Sequence, residues 1–354
     1  MSNQDIKCLL VSPRLPPTDP RFGGDHGYTQ TLLEYPPDGV RYYHYEDLIA
    51  QGAARRLRHL QAFKNRLVLW NLLAPGLWLE ALETGFEPDI IHIGSFSAVV
   101  RCTGKHGRLP VIIGTSTGSS SDLQHYRGCT EGQVRRARIR QKWFLRLLGA
   151  YESSLNPRDA KRVLVWSEFA RQLHLEEGCV SSDLLEVLPP GMPVQRPKQP
   201  NREKDGISFL FVGRDFERKN GHLLLAAFRQ LHSTHRDSKL IIVGQPRDGR
   251  RLSEPGVTHI FFVPRKRLLE EIYPKADVLV LPSRAEGFGL VLLEAMSCGL
   301  AVIGVNAWAM PEIVSNGENG LLINEPSTEE LAAAMRRYID EPGLLADNQS
   351  TASR

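Results

Sequence analysis

Short apolar runs without polar alternation recur along the carboxy-terminal half of the chain. They read ISFLFVG at 207–213, KLIIVG at 239–244, THIFFV at 258–263, DVLVLPS at 277–283, LAVIGV at 300–305 and NGLLI at 319–323. Runs of this kind are typical of strands that are covered on both faces, as in parallel sheets. Helical patterns lie between them, at 222–232 and 290–298. The pattern therefore predicts a doubly wound α/β domain.

The amino-terminal half repeats this pattern more loosely. Its apolar runs are CLLVS at 8–12, PDIIHIG at 88–94, PVIIG at 110–114 and RVLVWS at 162–167. A stretch with five prolines, Val187 to Gly206, separates the halves and predicts an interdomain linker. We expect an α/β protein with two Rossmann-like domains, 1–194 and 195–354, whose parallel sheets face each other across a cleft. Ligands would bind at the carboxyl ends of the strands, and the tail from Ala346 to Arg354 should fray.

Composition narrows the class of protein. Hydrophobic residues make up 42% and charged residues 24%, which are ordinary globular values. The net charge of +4 is too small to indicate a nucleic-acid partner. Five cysteines without a CxxC pair support neither a zinc ribbon nor a disulfide framework. We expect a cytoplasmic protein without a signal peptide, because the polar amino terminus leads directly into a strand pattern.

The basic residues are unevenly distributed. Residues 101–146 contain ten basic and two acidic side chains, and residues 51–79 contain five basic side chains and no acid. Basic amphipathic helices with aromatic residues can lie on the anionic inner face of a membrane or hold a phosphorylated acceptor. A solvated basic helix face is the alternative.

The densest functional signal is the segment SRAEGFGLVLLE at 283–294. It follows a strand pattern and leads into an apolar helix, whose free amide groups favour a negative ligand such as a diphosphate. Glu286 lies in the loop and Glu294 in the helix, so two carboxylates can accept hydrogen bonds from hydroxyl groups of one extended ligand. The candidate donor-binding residues here are Gly287, Phe288, Gly289, Leu290 and Glu294. Solvated surface glutamates are the alternative interpretation.

The segment EGFGLVLLE resembles the E-x7-E signature of retaining glycosyltransferases of family four, which have the GT-B fold. The similarity includes 211–228, 311–323, the VLPPGMP linker and the loop of Gly23 and Gly24. The resemblance implies that Glu286 contacts the donor hexose and that Glu294 contacts the nucleotide ribose. Arg214 and Lys219 match the basic pair that holds the diphosphate. Gly213, before this pair, and Gly23 with Gly24 complete the implied donor site.

The resemblance also implies a reaction. A hexose would pass from a UDP- or GDP-sugar to an acceptor hydroxyl with retention of anomeric configuration. Glu286, Arg214 and Lys219 are the predicted catalytic residues, and they would act by positioning and by stabilising the departing charge. No DxD sequence occurs, so we expect neither a metal nor another cofactor beyond the donor. The acceptor, whether a glycan, a lipid-linked molecule or a small molecule, stays open.

The chain departs from the family pattern at several positions. Thr117 stands where relatives carry a histidine, and Trp308 lies in a segment that is glycine-rich in relatives. The resemblance further implies a closing helix beyond the end of this sequence. Thr117 and His125 are candidate contacts for the sugar or acceptor. These departures keep open a nucleotide-sugar-binding protein with little turnover.

A serine hydrolase is a further alternative. GTSTG at 114–118 matches the G-x-S-x-G nucleophile pattern, with Ser116 as the nucleophile. The sequence after Ser116 does not predict the helix that this motif requires, and no acid and histidine partners stand out. The sequence contains neither GxGxxG nor a P-loop, so these nucleotide-binding motifs are excluded.

Overall fold

A computed structural model gives the fold of most of the chain. It describes residues 5–12, 16, 18–19, 24–48, 86–94, 99–100, 110–116, 130, 132–133, 135–136, 139, 151–152, 160–178, 180–192 and 206–352. The chain divides into two compact units. The first comprises Met1–Arg14 and Asp25–Pro190, and the second Leu15–Gly24 and Gly191–Arg354. The boundary between residues 194 and 195 stays a prediction, because residues 193–205 lie outside the described part.

The first unit contains a six-stranded parallel sheet. Its strands and the short pair beside it are β1 (Ile6–Val11), β2 (Val40–His44), β3 (Ile90–Ile93), β4 (Val99–Val100), β5 (Val111–Thr115), β6 (Tyr151–Glu152), β7 (Ala160–Val165) and β8 (Leu185–Val187). The sheet order is β2-β1-β3-β5-β7-β8, and β4 pairs with β6 in a separate antiparallel ladder. The described part of this unit includes the helices α1 (Gly24–Glu34), α2 (Tyr45–Leu48) and α3 (Glu168–Glu177), with a 3-10 turn at Ser182–Leu184.

Four strands of this sheet coincide with the predicted apolar runs, and the two edge strands do not. The inner strand β1 buries Leu9 and Leu10 completely. By contrast, β2 has the mixed sequence VRYYH and β8 only three residues. These two edge strands therefore carry a weaker apolar signal than the four strands between them.

The second unit contains another six-stranded parallel sheet. Its strands are β9 (Ser208–Val212), β10 (Lys239–Val243), β11 (Val257–Ile260), β12 (Val278–Val280), β13 (Ala301–Val305) and β14 (Gly320–Ile323), in the order β11-β10-β9-β12-β13-β14. Counted within the unit, this is the order 3-2-1-4-5-6 of Rossmann dinucleotide-binding domains. The prediction of two doubly wound parallel sheets is confirmed.

Helices connect the strands of the second sheet. They are α4 (Gly221–Thr234), α5 (Arg265–Arg267), α6 (Leu290–Ser297), α7 (Thr328–Asp340) and α8 (Pro342–Ala352), with a π-helix at Leu268–Ile272 and 3-10 turns at Tyr273–Lys275 and Met310–Glu312. Helix α4 buries Leu224, Phe228 and Leu231 in the core of this unit. The apolar residues in the pattern at 222–232 therefore form the face of α4 that packs in the core.

The prediction of a frayed tail is wrong for residues 346–352, which complete helix α8. Asn348 is fully buried, and its amide group donates to the carbonyls of Gly317 and Glu318, both at 2.9 Å. It also accepts a hydrogen bond of 2.8 Å from the hydroxyl of Tyr338. The tail was misread because its polar residues suggest solvent exposure, whereas this amide is buried with all these partners satisfied.

The strand order of the second unit indicates a ligand site at the carboxyl ends of two neighbouring strands. Strands β9 and β12 are neighbours. The chain leaves β9 for β10, toward one edge of the sheet, and leaves β12 for β13, toward the other edge. At such a switch point the loops after the two strands diverge and leave a crevice at their carboxyl ends, where ligands of α/β proteins bind. The loops concerned are residues 213–220 and 281–289. Among the described residues, no helix has the length and apolar character needed to cross a bilayer.

Gly244 is required where β10 meets β9. Its φ angle is +153°, and a β-carbon added there would lie 2.2 Å from the carbonyl oxygen of Gly213. Both glycines follow strands at the carboxyl edge, so any side chain at residue 244 would push the 213–220 loop away from the sheet.

Gly244→Ala should lower the free energy of unfolding by more than ~1 kcal/mol, because the new methyl group meets a backbone oxygen that cannot move alone. Urea denaturation followed by circular dichroism would measure this. Gly343→Ala is the control, since an added β-carbon there meets nothing within 4 Å. Equal stability of both variants would contradict the requirement for glycine at residue 244.

Candidate nucleotide-sugar site

The two loops at the switch point are tied together by hydrogen bonds. The side-chain amide of Asn220 donates to the carbonyl of Pro282 at 2.8 Å, and the backbone N–H of Arg284 donates to the carbonyl of Arg218 at 3.1 Å. The guanidinium of Arg218 also donates to the carbonyl of Ala285. These bonds link residues more than 60 positions apart. The loops after β9 and β12 therefore form one local scaffold.

Glu286 lies at the centre of this scaffold. Its Oε2 atom accepts a hydrogen bond from Ser283 Oγ at 3.2 Å and lies 3.5 Å from Arg218 Nη1 and 3.7 Å from Lys219 Nζ. The carboxylate is 12% exposed, and both cationic side chains are 13% exposed. Within the described part of the chain, the hydrogen bond and the two ion pairs of this side chain fall on Oε2. The other oxygen, Oε1, can accept a hydrogen bond from a ligand.

Lys219 has a poorly solvated ammonium group. Its Nζ atom donates to the carbonyl of Val212 at 3.4 Å, next to the ion pair with Glu286. Burial lowers the pKa of Lys219, and the nearby charge of Glu286 partly opposes this effect. A bound anion would favour the charged form further, so this lysine is suited to hold a phosphate group.

Two glycines shape the site sterically. A β-carbon at Gly213 would lie 2.9 Å from the Lys219 side chain, so this glycine lets the lysine pack against the end of β9. Gly289 is the N-cap of α6 and has a φ angle of +100°. That left-handed conformation turns the chain from the loop into the helix, and glycine adopts it without strain. Gly287, Phe288 and Gly289 are buried, and Leu290 is half-buried.

Glu294 lies one turn further into α6 and is held by two side chains from a different segment. Arg265 Nε donates to Oε1 at 2.8 Å, and the hydroxyl of Tyr273 donates to Oε2 at 3.2 Å. Tyr273 is fully buried, and burial raises its pKa well above the ordinary value, so it stays a hydrogen-bond donor. Arg265 also donates to Met192 Sδ at 3.4 Å.

The predicted site residues of the second unit therefore surround one edge of its sheet. Arg214 follows Gly213 and is exposed. The sequence-based prediction missed the partners that hold the two carboxylates, namely Arg218, Ser283, Arg265 and Tyr273. The first two lie beside predicted residues in the same loops. No motif marks Arg265 or Tyr273, since their approach to Glu294 arises only from packing.

The predicted site residues in the amino-terminal half of the sequence are described only in part. Gly24 begins helix α1, and Ser116 lies in a bend directly after β5. Gly23, Thr117 and His125 lie outside the described residues. Among the side chains that the structure describes, no group of three or more histidines, cysteines, aspartates or glutamates could hold a metal ion.

Comparison with known families finds a similarity in the carboxy-terminal part of the chain. Residues 194–354 match the family model of glycosyl transferases group 1. This region contains both loops of the switch point and helix α6. The carboxy-terminal part of the chain is therefore similar to glycosyl transferases group 1.

Curated relatives agree with this assignment over a similar region. A D-inositol 3-phosphate glycosyltransferase of Acidothermus cellulolyticus is 34% identical over 209 residues, which are 51% of this chain and 46% of the relative. One from Rhodococcus jostii is 34% identical over 159 residues, which are 41% of this chain and 35% of the relative. The chain thus aligns with less than half the length of these relatives.

Solved structures match nearly the whole chain. Anabaena Alr3699/HepE in complex with UDP and glucose superposes with a TM-score of 0.64 at 18% identity, covering 98% of this chain and 94% of that one. Sucrose-phosphate synthase from Thermosynechococcus elongatus gives a TM-score of 0.65 at 19% identity, covering 98% and 93%. Such identities establish the fold, which is GT-B. The resemblance to GT-B glycosyltransferases is confirmed.

Arg218→Gln should lower the free energy of unfolding by ~1 to 3 kcal/mol, because it removes the guanidinium that bonds Ala285 and neutralises Glu286. Chemical denaturation would measure the loss. Arg284→Gln in the same loop is the control, because its side chain is exposed and its backbone hydrogen bond remains. A variant of Arg218 as stable as that control would contradict this role.

Proposed function

We propose that the protein is a retaining glycosyltransferase that moves a hexose from a nucleotide diphosphate sugar to an acceptor hydroxyl. The observation that carries this proposal is the cluster of Glu286, Arg218 and Lys219 at the switch point of a Rossmann-ordered sheet. A poorly solvated carboxylate and two cations in one crevice match a ligand that has both hydroxyl groups and an anionic diphosphate.

The donor would bind along the edge of the sheet. Lys219 and the exposed Arg214 would hold the diphosphate, together with the amide groups at the start of α6. Oε1 of Glu286 would accept a hydrogen bond from a hexose hydroxyl, since Ser283, Arg218 and Lys219 approach Oε2. Glu294 would accept hydrogen bonds from the ribose, on the lone pairs that Arg265 and Tyr273 do not use.

The chemistry follows from these charges. When the bond between the anomeric carbon and the diphosphate oxygen breaks, negative charge accumulates on the departing diphosphate. Lys219 and Arg214 would stabilise this charge in place, without reorganisation of solvent. The acceptor oxygen would attack the same face that the diphosphate leaves, and the departing oxygen would take the acceptor proton. These residues supply the required cationic charge themselves, so we propose a reaction without a metal ion.

The comparisons guide the choice of substrates. UDP and glucose occupy the similar Anabaena structure, and the curated relatives are named for D-inositol 3-phosphate. We propose UDP-glucose as the first donor to test, with GDP-mannose beside it, and inositol 3-phosphate as the first acceptor. Contact of the basic segments 51–79 and 101–146 with a membrane, and a cytoplasmic location, remain proposals from sequence.

The donor site predicts a loss of nucleotide binding in one variant. Glu294→Ala should weaken binding of UDP or GDP by ~1.5 to 3 kcal/mol, the scale of a hydrogen bond to a charged group. Isothermal titration calorimetry measures this, with circular dichroism to show that the variant is folded. Glu271→Ala, an exposed carboxylate on the segment that holds Glu294, is the control. An unchanged affinity in a folded Glu294 variant would contradict the ribose role.

The transfer reaction is tested by following release of the nucleotide diphosphate from each donor with the acceptor present. We expect turnover by the wild-type chain and a decrease of ~100-fold or more in Lys219→Ala, because the departing charge loses its buried cation. Proton NMR of the product should show the donor's anomeric configuration. Donor binding without transfer or hydrolysis across a broad acceptor panel would favour a nucleotide-sugar-binding protein.

A further inference from the structure

Arg265 and Tyr273 belong to one continuous helical segment with an unusual interior. This segment comprises α5, the π-helix Leu268–Ile272 and the 3-10 turn Tyr273–Lys275. The backbone N–H of Tyr273 bonds to the carbonyl of Leu268, five residues earlier, which is the π-helical pattern. Both ends of the segment carry a side chain that reaches Glu294.

The π-helix explains how two residues eight positions apart reach the same carboxylate. In an uninterrupted α-helix, residues eight apart point about 80° away from each other around the axis. The wider π-turn advances by fewer degrees per residue, so it rotates Tyr273 back toward the face of Arg265. The following Pro274 has no N–H group and cannot continue an α-helical ladder. The sequence thus supports a local geometry that serves the contact with Glu294.

The two contacts fix the orientation of the carboxylate. Arg265 Nε bonds to Oε1 at 2.8 Å and Tyr273 Oη to Oε2 at 3.2 Å, so each oxygen is engaged once. A carboxylate has about four lone-pair positions, and one therefore remains on each oxygen. A vicinal diol presents two O–H groups at a suitable spacing for such a pair. Glu294 is 14% exposed and Arg265 16% exposed, so solvent competes only weakly.

Arg265 is itself held from a second side. Its Nη2 atom donates to Met192 Sδ at 3.4 Å, while Nε is committed to Glu294. A neighbouring arginine shows the contrast. Arg267 forms an equally short ion pair of 2.8 Å with Glu271, but its side chain is 63% exposed. The largely shielded pair of Arg265 and Glu294 is suited to positioning, whereas an exposed pair of this kind contributes little.

We propose that Arg265, together with Tyr273, is a positioning residue that orients Glu294 for the vicinal diol of a ribonucleotide and so sets the preference for ribose over deoxyribose. This inference rests on the proposed function, because it takes the nucleotide to bind beside Glu294. It assigns the discrimination to side chains that do not themselves contact the reacting atoms.

The experiment measures binding of UDP and of 2′-deoxy-UDP by calorimetry, with GDP and 2′-deoxy-GDP in parallel. We expect the wild-type chain to prefer the ribonucleotide by ~10-fold or more, the scale of a hydrogen bond to a charged group. In Arg265→Gln this ratio should fall toward one, while the affinity for the deoxynucleotide changes little. Arg267→Gln should keep the wild-type ratio.

Two further variants keep the proposal testable if Arg265→Gln does not fold. Arg265→Lys keeps the charge but loses the planar guanidinium, and Tyr273→Phe removes only the hydroxyl group. Both should reduce the ratio of affinities partially. If every folded variant keeps the wild-type ratio, or if both nucleotides weaken equally, the positioning role is overturned.

The outcome for the wild-type chain separates this inference from the proposed function. Failure to bind either ribonucleotide would overturn the proposed function, and this inference with it. Binding without any preference for ribose would overturn the role of Glu294 and this inference, but not the transfer reaction. A preference that persists in the Arg265 variants would overturn this inference alone.

Discussion

The ion cluster of Glu286 with Arg218 and Lys219 is the interaction on which the candidate site depends. Each cation is largely removed from water, so each needs the carboxylate close by, and the carboxylate needs them equally. Arg218 also bonds the backbone of Ala285 and thereby fixes the loop that carries Glu286. One set of contacts thus joins the loops after β9 and β12 and leaves Oε1 of the carboxylate for a ligand.

The strand order makes this cluster possible. Because β9 and β12 are adjacent although 65 residues separate the start of the second from the end of the first, their loops meet at one edge. Two positions near this edge require glycine, because other atoms approach the backbone there too closely for a side chain. Gly213 admits the Lys219 side chain, and Gly244 admits the carbonyl of Gly213. The same residues therefore serve packing and the site, and their presence alone does not separate the two roles.

Much of the fold could be predicted because buried parallel strands carry an unambiguous apolar signal. The strands from β9 to β14 all match predicted apolar runs, whereas β2 and β8 do not, since β2 has the mixed sequence VRYYH and β8 has only three residues. The prediction of a frayed tail was wrong for helix α8 because its polar sequence suggests exposure to solvent. Its polar Asn348 is buried and forms hydrogen bonds to residues distant in the sequence, and local composition does not predict such partners.

The sequence by itself determined the two α/β domains, the loop and helix of the EGFGLVLLE segment, and the candidate residues Glu286, Glu294 and Lys219. These features are local, because periodicity and motif spacing concern neighbouring residues. Only the tertiary structure decided that Arg218 faces Glu286 and that Arg265 and Tyr273 hold Glu294. Those contacts join residues 21 to 68 positions apart. They depend on the strand order and on how the segment with the π-helix packs against α6, and no single segment contains both partners of such a contact.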